Sequence, residues 1–214
     1  SVGVTGVLPT AKEEAFEAIA DCTGQPLDGA RIYGVHSEGP FWARGGENTV
    51  GEDYPLPDVA EARRLIDKAK GKMVMMAIAP ELPKAYDVIR LLHQKGIKVA
   101  SAHTKAYAED IRKAMDEVGL DIVTHLCNGM RGIHHRNVGA LGQYLLEDNL
   151  RYELITDLNH VCKEMIQICL RMQPVEKFCL ISDSNYIAGL PTGHYMRYNK
   201  EMIADEKGLI LDLH

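Results

Sequence analysis

The chain has 214 residues, and 24 lysines and arginines against 30 aspartates and glutamates give it a formal net charge of −6. This mild acidity argues against nucleic acid or an anionic membrane as the main partner, and aromatic residues, at 6%, are few for a base-stacking surface. No apolar run approaches the ~18–20 residues of a membrane helix, and the first residues show no signal peptide. We therefore expect a soluble protein with neither a nucleic-acid nor a membrane partner.

The size and the cysteine pattern favour a single domain in a reducing compartment. With 46% hydrophobic residues, the chain can bury one sizeable core, and one domain of about 200–250 residues is an ordinary size for an α/β barrel. Five cysteines, an odd number, occur without a CxxC pair. This indicates reduced thiols rather than a disulfide framework, so we expect a cytoplasmic location.

Short apolar or β-branched runs alternate with longer segments of helical periodicity. The predicted strands are 4–9, 32–36, 73–78, 98–102, 122–125, 152–156 and 178–182. The predicted helices are 12–21, 59–69, 82–95, 106–118, 140–147 and 162–172. This spacing is typical of a parallel sheet with helical crossovers. Seven units in series favour a (β/α)₈ barrel with one unit missing, and a doubly wound sheet is the alternative.

Two segments lie outside this alternation. The segment 44–57 is the longest stretch without a predicted element, and long loops in compact domains are often functional lids. The segment 207–213 has the pattern of a further strand that need not belong to the barrel.

Six successive predicted strands are followed by a carboxylate or an imidazole, and parallel strands end at one mouth of a barrel, where active sites lie. Glu81, His103 and His125 provide two imidazoles and one carboxylate, a set that suits Zn²⁺ or a similar divalent ion with an open position. Such an ion lowers the pKa of bound water toward ~7 and polarises a carbonyl. Asp183 is then the expected general base, and His160 the expected donor to the developing oxyanion.

The sequence leaves open the identity of the metal and offers one further carboxylate near the strand ends. Glu38 can be read as a second acid, but we expect it to fix the loop after its strand, with His36 as a structural partner. The donor set accepts Zn²⁺, Fe²⁺, Mn²⁺ or Co²⁺, and one ion, Zn²⁺ by first choice, is expected.

Seven motifs carry a family resemblance, and they occur in a fixed order along the chain. They are HSEGPF (36–41), APE (79–81), SAHT (101–104), THLCNGM (124–130), GIHHRNVGALG (132–142), DLNH (157–160) and SDSNYIAGLPTG (182–193). Together they resemble the N-acetylglucosamine-6-phosphate deacetylase family of the amidohydrolase superfamily, over essentially the whole chain. The opening GVTGVLPT is similar to that family's second barrel strand.

The resemblance implies a (β/α)₈ barrel that hydrolyses N-acetylglucosamine 6-phosphate to glucosamine 6-phosphate and acetate. It implies that Glu81, His103 and His125 are the metal ligands. It also implies that Asp183 activates water and then protonates the leaving amine, and that His160 contacts the substrate and polarises the carbonyl.

The resemblance further implies a phosphate-binding region and a homodimer. Asn128, the Gly129 backbone and Arg136 match sugar-phosphate contacts, and the guanidinium fork of Arg136 suits a phosphate. Of the adjacent His134 and His135, only one is expected to face the pocket, and we choose His135 as the substrate-binding residue.

The chain departs from the family pattern in extent and at individual positions. The family's first barrel strand and most of its small β-sandwich have no counterpart here, so we assign 1–206 to an incomplete catalytic barrel and 207–214 to a return strand of that sandwich. Cys127 stands where the family has an aromatic residue, and Leu158 where it has glycine. Both changes are expected to lie around the substrate.

Three functions fit these observations. The first is the metal-dependent deacetylase, the second is another amidohydrolase acting on a different amide or a cyclic amide, and the third is a non-catalytic member that retains the fold. We expect the first, because a non-catalytic protein has no reason to carry Glu81 and Asp183 together with the two histidines.

Overall fold

The structure, a computed structural model, describes residues 4–45, 53–184, 187–197, 200–205 and 210–212. Its strands are β1 Gly6–Val7, β2 Thr10–Ala11, β3 Arg31–Ile32, β4 Val35–Ser37, β5 Met73–Ile78, β6 Lys98–Ser101, β7 Ile122–Val123, β8 Arg151–Ile155, β9 Phe178–Ile181, β10 Gly193–Arg197, β11 Lys200–Ala204 and β12 Ile210–Asp212. Its α-helices are α1 Phe16–Cys22, α2 Val59–Lys68, α3 Ala85–Gln94, α4 Ala108–Glu117, α5 Gly139–Leu146 and α6 Lys163–Met172. Short 3-10 turns lie at Glu13–Ala15 and Val175–Lys177.

Seven parallel strands form the main sheet, in the order β2-β4-β5-β6-β7-β8-β9. Each strand pairs with the next one of the sheet along the chain, without the reversal of order that a doubly wound sheet requires. The predicted α/β class with a parallel sheet is therefore confirmed. Among the described residues no strand joins β9 to β2, so the sheet is an open, curled half-barrel rather than a closed barrel.

The predicted strand 32–36 is divided between β3 and β4 because the chain bends at Gly34, and the predicted strand 4–9 contains β1 but ends before β2. β1 pairs with β3, whereas β2 pairs with β4. Gly34 has φ +152°, and a Cβ there would lie 2.6 Å from the Lys72 carbonyl oxygen. Only glycine allows this close approach, which brings the Val35 N–H within 2.8 Å of that oxygen and starts β4.

The two faces of the sheet carry different side chains. Met76 and Ile78 of β5 join the main core between the sheet and the helices, to which α3 contributes Val88 and Leu92. The other face holds a small cluster of buried residues, Met75, Ala77, Ala100 and Ala102. The alternation along β5 follows the two-residue period of a strand and explains why its sequence is apolar throughout.

The C-terminal region forms a separate antiparallel sheet of β10, β11 and β12. The predicted strand at 207–213 is present in part as β12, whose neighbours in sequence lie outside the described residues. This sheet begins at Gly193, and the division of the chain at residue 206 stays a prediction. Part of the predicted lid, residues 46–52, also lies outside the described residues. None of the described helices combines the length and apolar character needed to cross a membrane.

Left-handed backbone conformations cluster where strands of the main sheet end. His103, His125 and Asp183, which follow β6, β7 and β9, have φ values of +49°, +35° and +48°. Non-glycine residues enter this region only when the surrounding structure holds them there, at a cost of about 1–3 kcal/mol each. These conformations change the direction of the chain at the strand ends and so decide where the side chains point.

Leu158 is a further left-handed residue, and it lies in an exposed turn after β8. Its φ is +65° and its side chain is 60% exposed. The turn is held by Asp157 Oδ1, which accepts hydrogen bonds from the backbone N–H groups of Asn159 and His160, both at 2.9 Å. Leu158 therefore holds a strained backbone conformation while its side chain stays exposed.

We predict that Leu158→Gly raises the free energy of unfolding by about 1 kcal/mol, because glycine adopts this backbone conformation without strain. The matched control is Leu170→Gly in α6, another exposed leucine, which should lower stability by about 1 kcal/mol because glycine is unfavourable within a helix. Urea unfolding of both variants measures the difference. A less stable Leu158→Gly protein would contradict the strain at this turn.

Candidate active site

Three side chains from different strand ends meet at the carboxyl edge of the half-barrel. Glu38 directly follows β4, and His103 and His125 lie two residues beyond β6 and β7. Glu38 Oε1 lies 2.9 Å from His103 Nε2 and 3.0 Å from His125 Nε2, and the two Nε2 atoms are 3.3 Å apart. Within the described residues, this is the one group of three or more histidine, cysteine, aspartate or glutamate side chains that lie close enough together to hold a metal ion.

The three groups form a compensated buried charge cluster. The exposed fractions of His103 and His125 are only 8% and 3%. Burial raises the pKa of Glu38, but the hydrogen bonds from both imidazoles outweigh this and hold that pKa far below its usual range. Burial lowers the pKa of His125, yet the neighbouring Glu38 carboxylate brings it above its ordinary value. The site therefore holds an ionised carboxylate facing two imidazoles.

The spacing and chemistry of this cluster fit a divalent metal ion. Zn–N distances of about 2.0–2.1 Å in a tetrahedral site place neighbouring donor atoms about 3.3 Å apart. The two Nε2 atoms have this separation, and the carboxylate oxygen is only slightly closer. The Nδ1 atoms of both rings are buried and have no hydrogen-bond partner in the described part of the chain, so Nε2 is the donor that faces the cluster in each.

The structure places a different carboxylate beside the two histidines from the one predicted. It brings His103 and His125 together as predicted, but their carboxylate partner is Glu38, not Glu81. Both oxygens of Glu81 accept other hydrogen bonds, one from Thr104 Oγ1 at 2.6 Å and one from the Lys105 backbone N–H. Burial raises the pKa of Glu81, so this carboxyl also lacks the charge compensation that Glu38 receives. Glu81 thus fixes the chain that follows His103.

Glu38 was expected to fix the loop after its strand, so its place in this cluster was not predicted. The signal was available, because Glu38 also follows a strand of the parallel sheet. His36, its expected structural partner, instead bonds Thr10 Oγ1 through Nδ1 at 2.9 Å, and desolvation lowers its pKa to about 4. His36 is therefore a buried neutral ring beneath the site.

Asp183 lies within electrostatic reach of the cluster, at the end of β9. Desolvation of its carboxyl group and repulsion from Glu38 raise its pKa, while His125, His103 and His160 oppose this rise. The residue as a whole is exposed to solvent. Asp183 is thus an accessible carboxyl with an increased tendency to accept a proton beside the two imidazoles.

His160 is oriented by the turn after β8. Its Nδ1 lies 2.7 Å from Asp157 Oδ2. Burial raises the pKa of Asp157, but hydrogen bonds from the His160 backbone and side chain bring it below the ordinary value. With Nδ1–H directed at Asp157, the Nε2 atom of this exposed ring faces away and is free to meet a ligand.

The predicted substrate contacts divide into two groups. Asn128 and Gly129 lie directly beyond His125, and a Cβ on Gly129 would come within 3.2 Å of His103 Nδ1, so a side chain there would press on that ring. The Asn128 Nδ2 atom is buried without a partner in the described structure. His135 and Arg136 instead lie in the exposed loop between β7 and α5, where His135 stacks on His134 at 4.2 Å.

Cys127 was expected near the substrate, but its side chain packs against a helix instead. Its Sγ lies 4.0 Å from Sγ of Cys169, a buried residue of α6. The thiol therefore packs on the helix side of the sheet. Its left-handed backbone, with φ +84°, turns the side chain away from the neighbouring Asn128.

Comparisons with known proteins agree with the motif resemblance. No family model matches the chain. The chain is 32% identical over 198 residues to N-acetylglucosamine-6-phosphate deacetylase of Vibrio furnissii, covering 91% of this chain and 49% of that protein. It is also 32% identical over 200 residues to N-acetylgalactosamine-6-phosphate deacetylase of Escherichia coli O157:H7, covering 93% of this chain and 52% of that protein.

The fold comparison gives the same answer. A variant of N-acetyl-D-glucosamine-6-phosphate deacetylase from Mycobacterium smegmatis, solved in complex with N-acetyl-D-glucosamine-6-phosphate, matches with a TM-score of 0.83 at 27% identity, covering 99% of this chain and 56% of that chain. The chain spans about half the length of the curated relatives it matches. Over nearly its whole length, the chain is therefore a homologue of the N-acetylglucosamine-6-phosphate deacetylases.

Proposed function

We propose that this chain carries the catalytic centre of a metal-dependent deacetylase that hydrolyses the N-acetyl amide of an amino-sugar phosphate. The observation that carries the proposal is the convergence of Glu38, His103 and His125, with Asp183 beside them. The names of the homologues supply the substrate class. We propose N-acetylglucosamine 6-phosphate as the substrate, and glucosamine 6-phosphate and acetate as the products.

Glu38, His103 and His125 would hold one divalent ion, with Zn²⁺ as our first choice and Fe²⁺, Mn²⁺ or Co²⁺ as alternatives. Such an ion supplies a Lewis acid that polarises the amide carbonyl and makes water acidic enough to react near neutral pH. Also by family analogy, we propose a cytoplasmic enzyme that works as a homodimer.

Asp183 and His160 would move the protons and stabilise the charge. Asp183 takes a proton from the attacking water while the water oxygen forms its bond to the carbonyl carbon. Asp183 then gives that proton to the amide nitrogen as the C–N bond breaks. His160 Nε2 faces the carbonyl oxygen and donates to it when the ring is protonated, because Nδ1–H is already directed at Asp157. The raised pKa of Asp183 favours its proton uptake.

The sugar phosphate would be held by residues that follow β7. Asn128 offers a buried amide without a partner among the described residues, and Gly129 leaves space beside His103. Arg136 and His135, on the exposed loop, would contact the phosphate, for which a guanidinium fork is suited.

Substitution of Glu38 and of Glu81, one at a time, shows which carboxylate is the metal ligand. We predict that wild-type protein binds about one Zn²⁺ per chain, that Glu38→Gln weakens this binding by more than about 100-fold, and that Glu81→Gln stays close to wild type. In Glu81→Gln the amide oxygen can accept the Lys105 hydrogen bond, and the amide NH2 can donate to Thr104 Oγ1. Metal analysis after dialysis against a chelator buffer measures the affinities. Loss of metal in Glu81→Gln but not in Glu38→Gln would restore the ligand set predicted from the sequence.

Asp183→Asn tests the proposed proton transfer. Asparagine cannot accept the proton, so acetate release from N-acetylglucosamine 6-phosphate should fall by about 10²–10⁴-fold while the metal content stays at the wild-type level. The matched control is Asp87→Asn on the exposed face of α3, which should leave both quantities unchanged. Wild-type turnover by Asp183→Asn would exclude this residue as the base.

Arg136→Ala tests the phosphate contact and the choice of amide. For N-acetylglucosamine 6-phosphate, KM should rise roughly 10- to 150-fold because a hydrogen-bonded charge pair is lost. Unphosphorylated N-acetylglucosamine, assayed as the control substrate, should be insensitive to the substitution. N-acetylgalactosamine 6-phosphate, assayed in parallel, reveals which sugar is preferred. Equal effects on the phosphorylated and unphosphorylated substrates would contradict the phosphate contact.

The two alternative functions have distinct outcomes in the same assays. A metal-loaded protein that releases no acetate from any of these sugars would be another amidohydrolase, with a different amide or cyclic amide as substrate. A protein with neither metal nor turnover would be a non-catalytic member of the family.

A further inference from the structure

The single tryptophan of the chain, Trp42, lies against the ring of His103. The ring centroids are 4.2 Å apart and the planes are inclined by 32°, a tilted stack. On its other side, Trp42 meets Tyr54 edge to face at 5.2 Å. Tyr54 lies beyond the part of the loop that the structure does not describe, so the two flanks of this loop meet beside the site.

The segment 38–44 holds His103 at three points. Glu38 contacts the ring nitrogen Nε2, and Trp42 covers one face of the ring. The backbone N–H groups of Ala43 and Arg44 both donate to the His103 carbonyl oxygen, at 2.9 and 3.1 Å. One short segment therefore fixes the backbone, the plane and the donor atom of His103.

The ring of His103 needs this support because no hydrogen bond at its second nitrogen, Nδ1, fixes its orientation. A metal-binding histidine usually donates its other N–H to a carboxylate or carbonyl, which fixes the orientation of the ring. Here the Nδ1 atom of His103 is buried without a hydrogen-bond partner within the described residues. The residue also has a left-handed backbone, at φ +49°, that its surroundings must maintain.

We propose that Trp42 is a positioning residue whose indole stack sets the plane of the His103 ring and so directs Nε2 at the metal ion. The inference rests on the proposed function, because it presupposes the Glu38–His103–His125 metal site. Trp42 here takes the place of the hydrogen bond that orients other metal-binding histidines. Loss of one aromatic stack is worth about a factor of two to ten in an equilibrium constant, which sets the expected change in metal affinity.

Zinc affinity of position-42 variants tests this role. The Zn²⁺ dissociation constant, measured by competition with a chromogenic chelator, should rise about two- to tenfold in Trp42→Leu and stay within about twofold of wild type in Trp42→Phe, which keeps a ring. The control is Tyr33→Leu, an aromatic residue that is 57% exposed and lies before β4, at the opposite end of that strand from Glu38, and it should leave the affinity unchanged. Thermal unfolding of each variant is recorded in parallel.

The outcomes separate a positioning role from a structural one. A Trp42→Leu protein with a lower melting temperature and wild-type zinc affinity would show that Trp42 only packs, and the proposal would be wrong. An equal loss of affinity in the phenylalanine and leucine variants would also overturn it, because the stack would not be the cause. If wild-type protein binds no Zn²⁺, the proposed metal site fails, whereas normal wild-type binding with an insensitive Trp42→Leu variant overturns this inference alone.

Fluorescence provides a readout on the unmodified protein. Because Trp42 is the one tryptophan, indole emission reports on this position directly. Titration with Co²⁺, an open-shell ion, should quench the emission and saturate at about one equivalent per chain. If Co²⁺ binds without quenching, the claim that the indole lies against a metal-binding ring is wrong. This test does not depend on the folding of Trp42→Leu.

Discussion

The carboxylate of Glu38 is the buried charge around which the edge of the half-barrel is arranged. Its side chain is 20% exposed, and an uncompensated charge in such a position is costly. His103 and His125 supply the compensation at 2.9 and 3.0 Å, so the ends of β4, β6 and β7 must stay close together. Parallel strands in chain order satisfy this requirement, because their carboxyl ends lie along one curved edge.

The strand between these ends has a supporting function. β5 lies between β4 and β6, and Glu81, three residues beyond β5, accepts hydrogen bonds from the two residues that follow His103. The segment after β4 bonds the His103 backbone from the other side and covers its ring with Trp42. His103 is thus held by both preceding strands of the sheet, which offsets the strain of its left-handed backbone.

Much of this architecture can be predicted from the sequence. Apolar periodicity indicates the parallel sheet and its six helices, because two-residue and 3.6-residue periods reflect the burial of faces. The rule that strand ends converge predicts that His103, His125 and Asp183 lie at one edge of the sheet. The break at Gly34 is not predictable in this way, because it depends on the distance from its Cα to the Lys72 carbonyl, a contact distant in sequence.

The choice between Glu38 and Glu81 also requires the structure. Both carboxylates lie just beyond strands of the parallel sheet, Glu38 directly after β4 and Glu81 three residues after β5. Their side-chain directions depend on loop backbones and on the hydrogen bonds of Thr104 and Lys105, neither of which has a periodic signal. Likewise, the strained backbone of Leu158 is evident only from its φ of +65°.

The most direct measurement of the central claim is a crystallographic anomalous difference map, recorded above and below the zinc absorption edge on protein loaded with Zn²⁺. A Zn²⁺ site bonded by Glu38 and by Nε2 of His103 and His125 is the expected result. A zinc peak beside Glu81, or elsewhere in the molecule with no peak at these three groups, would contradict it.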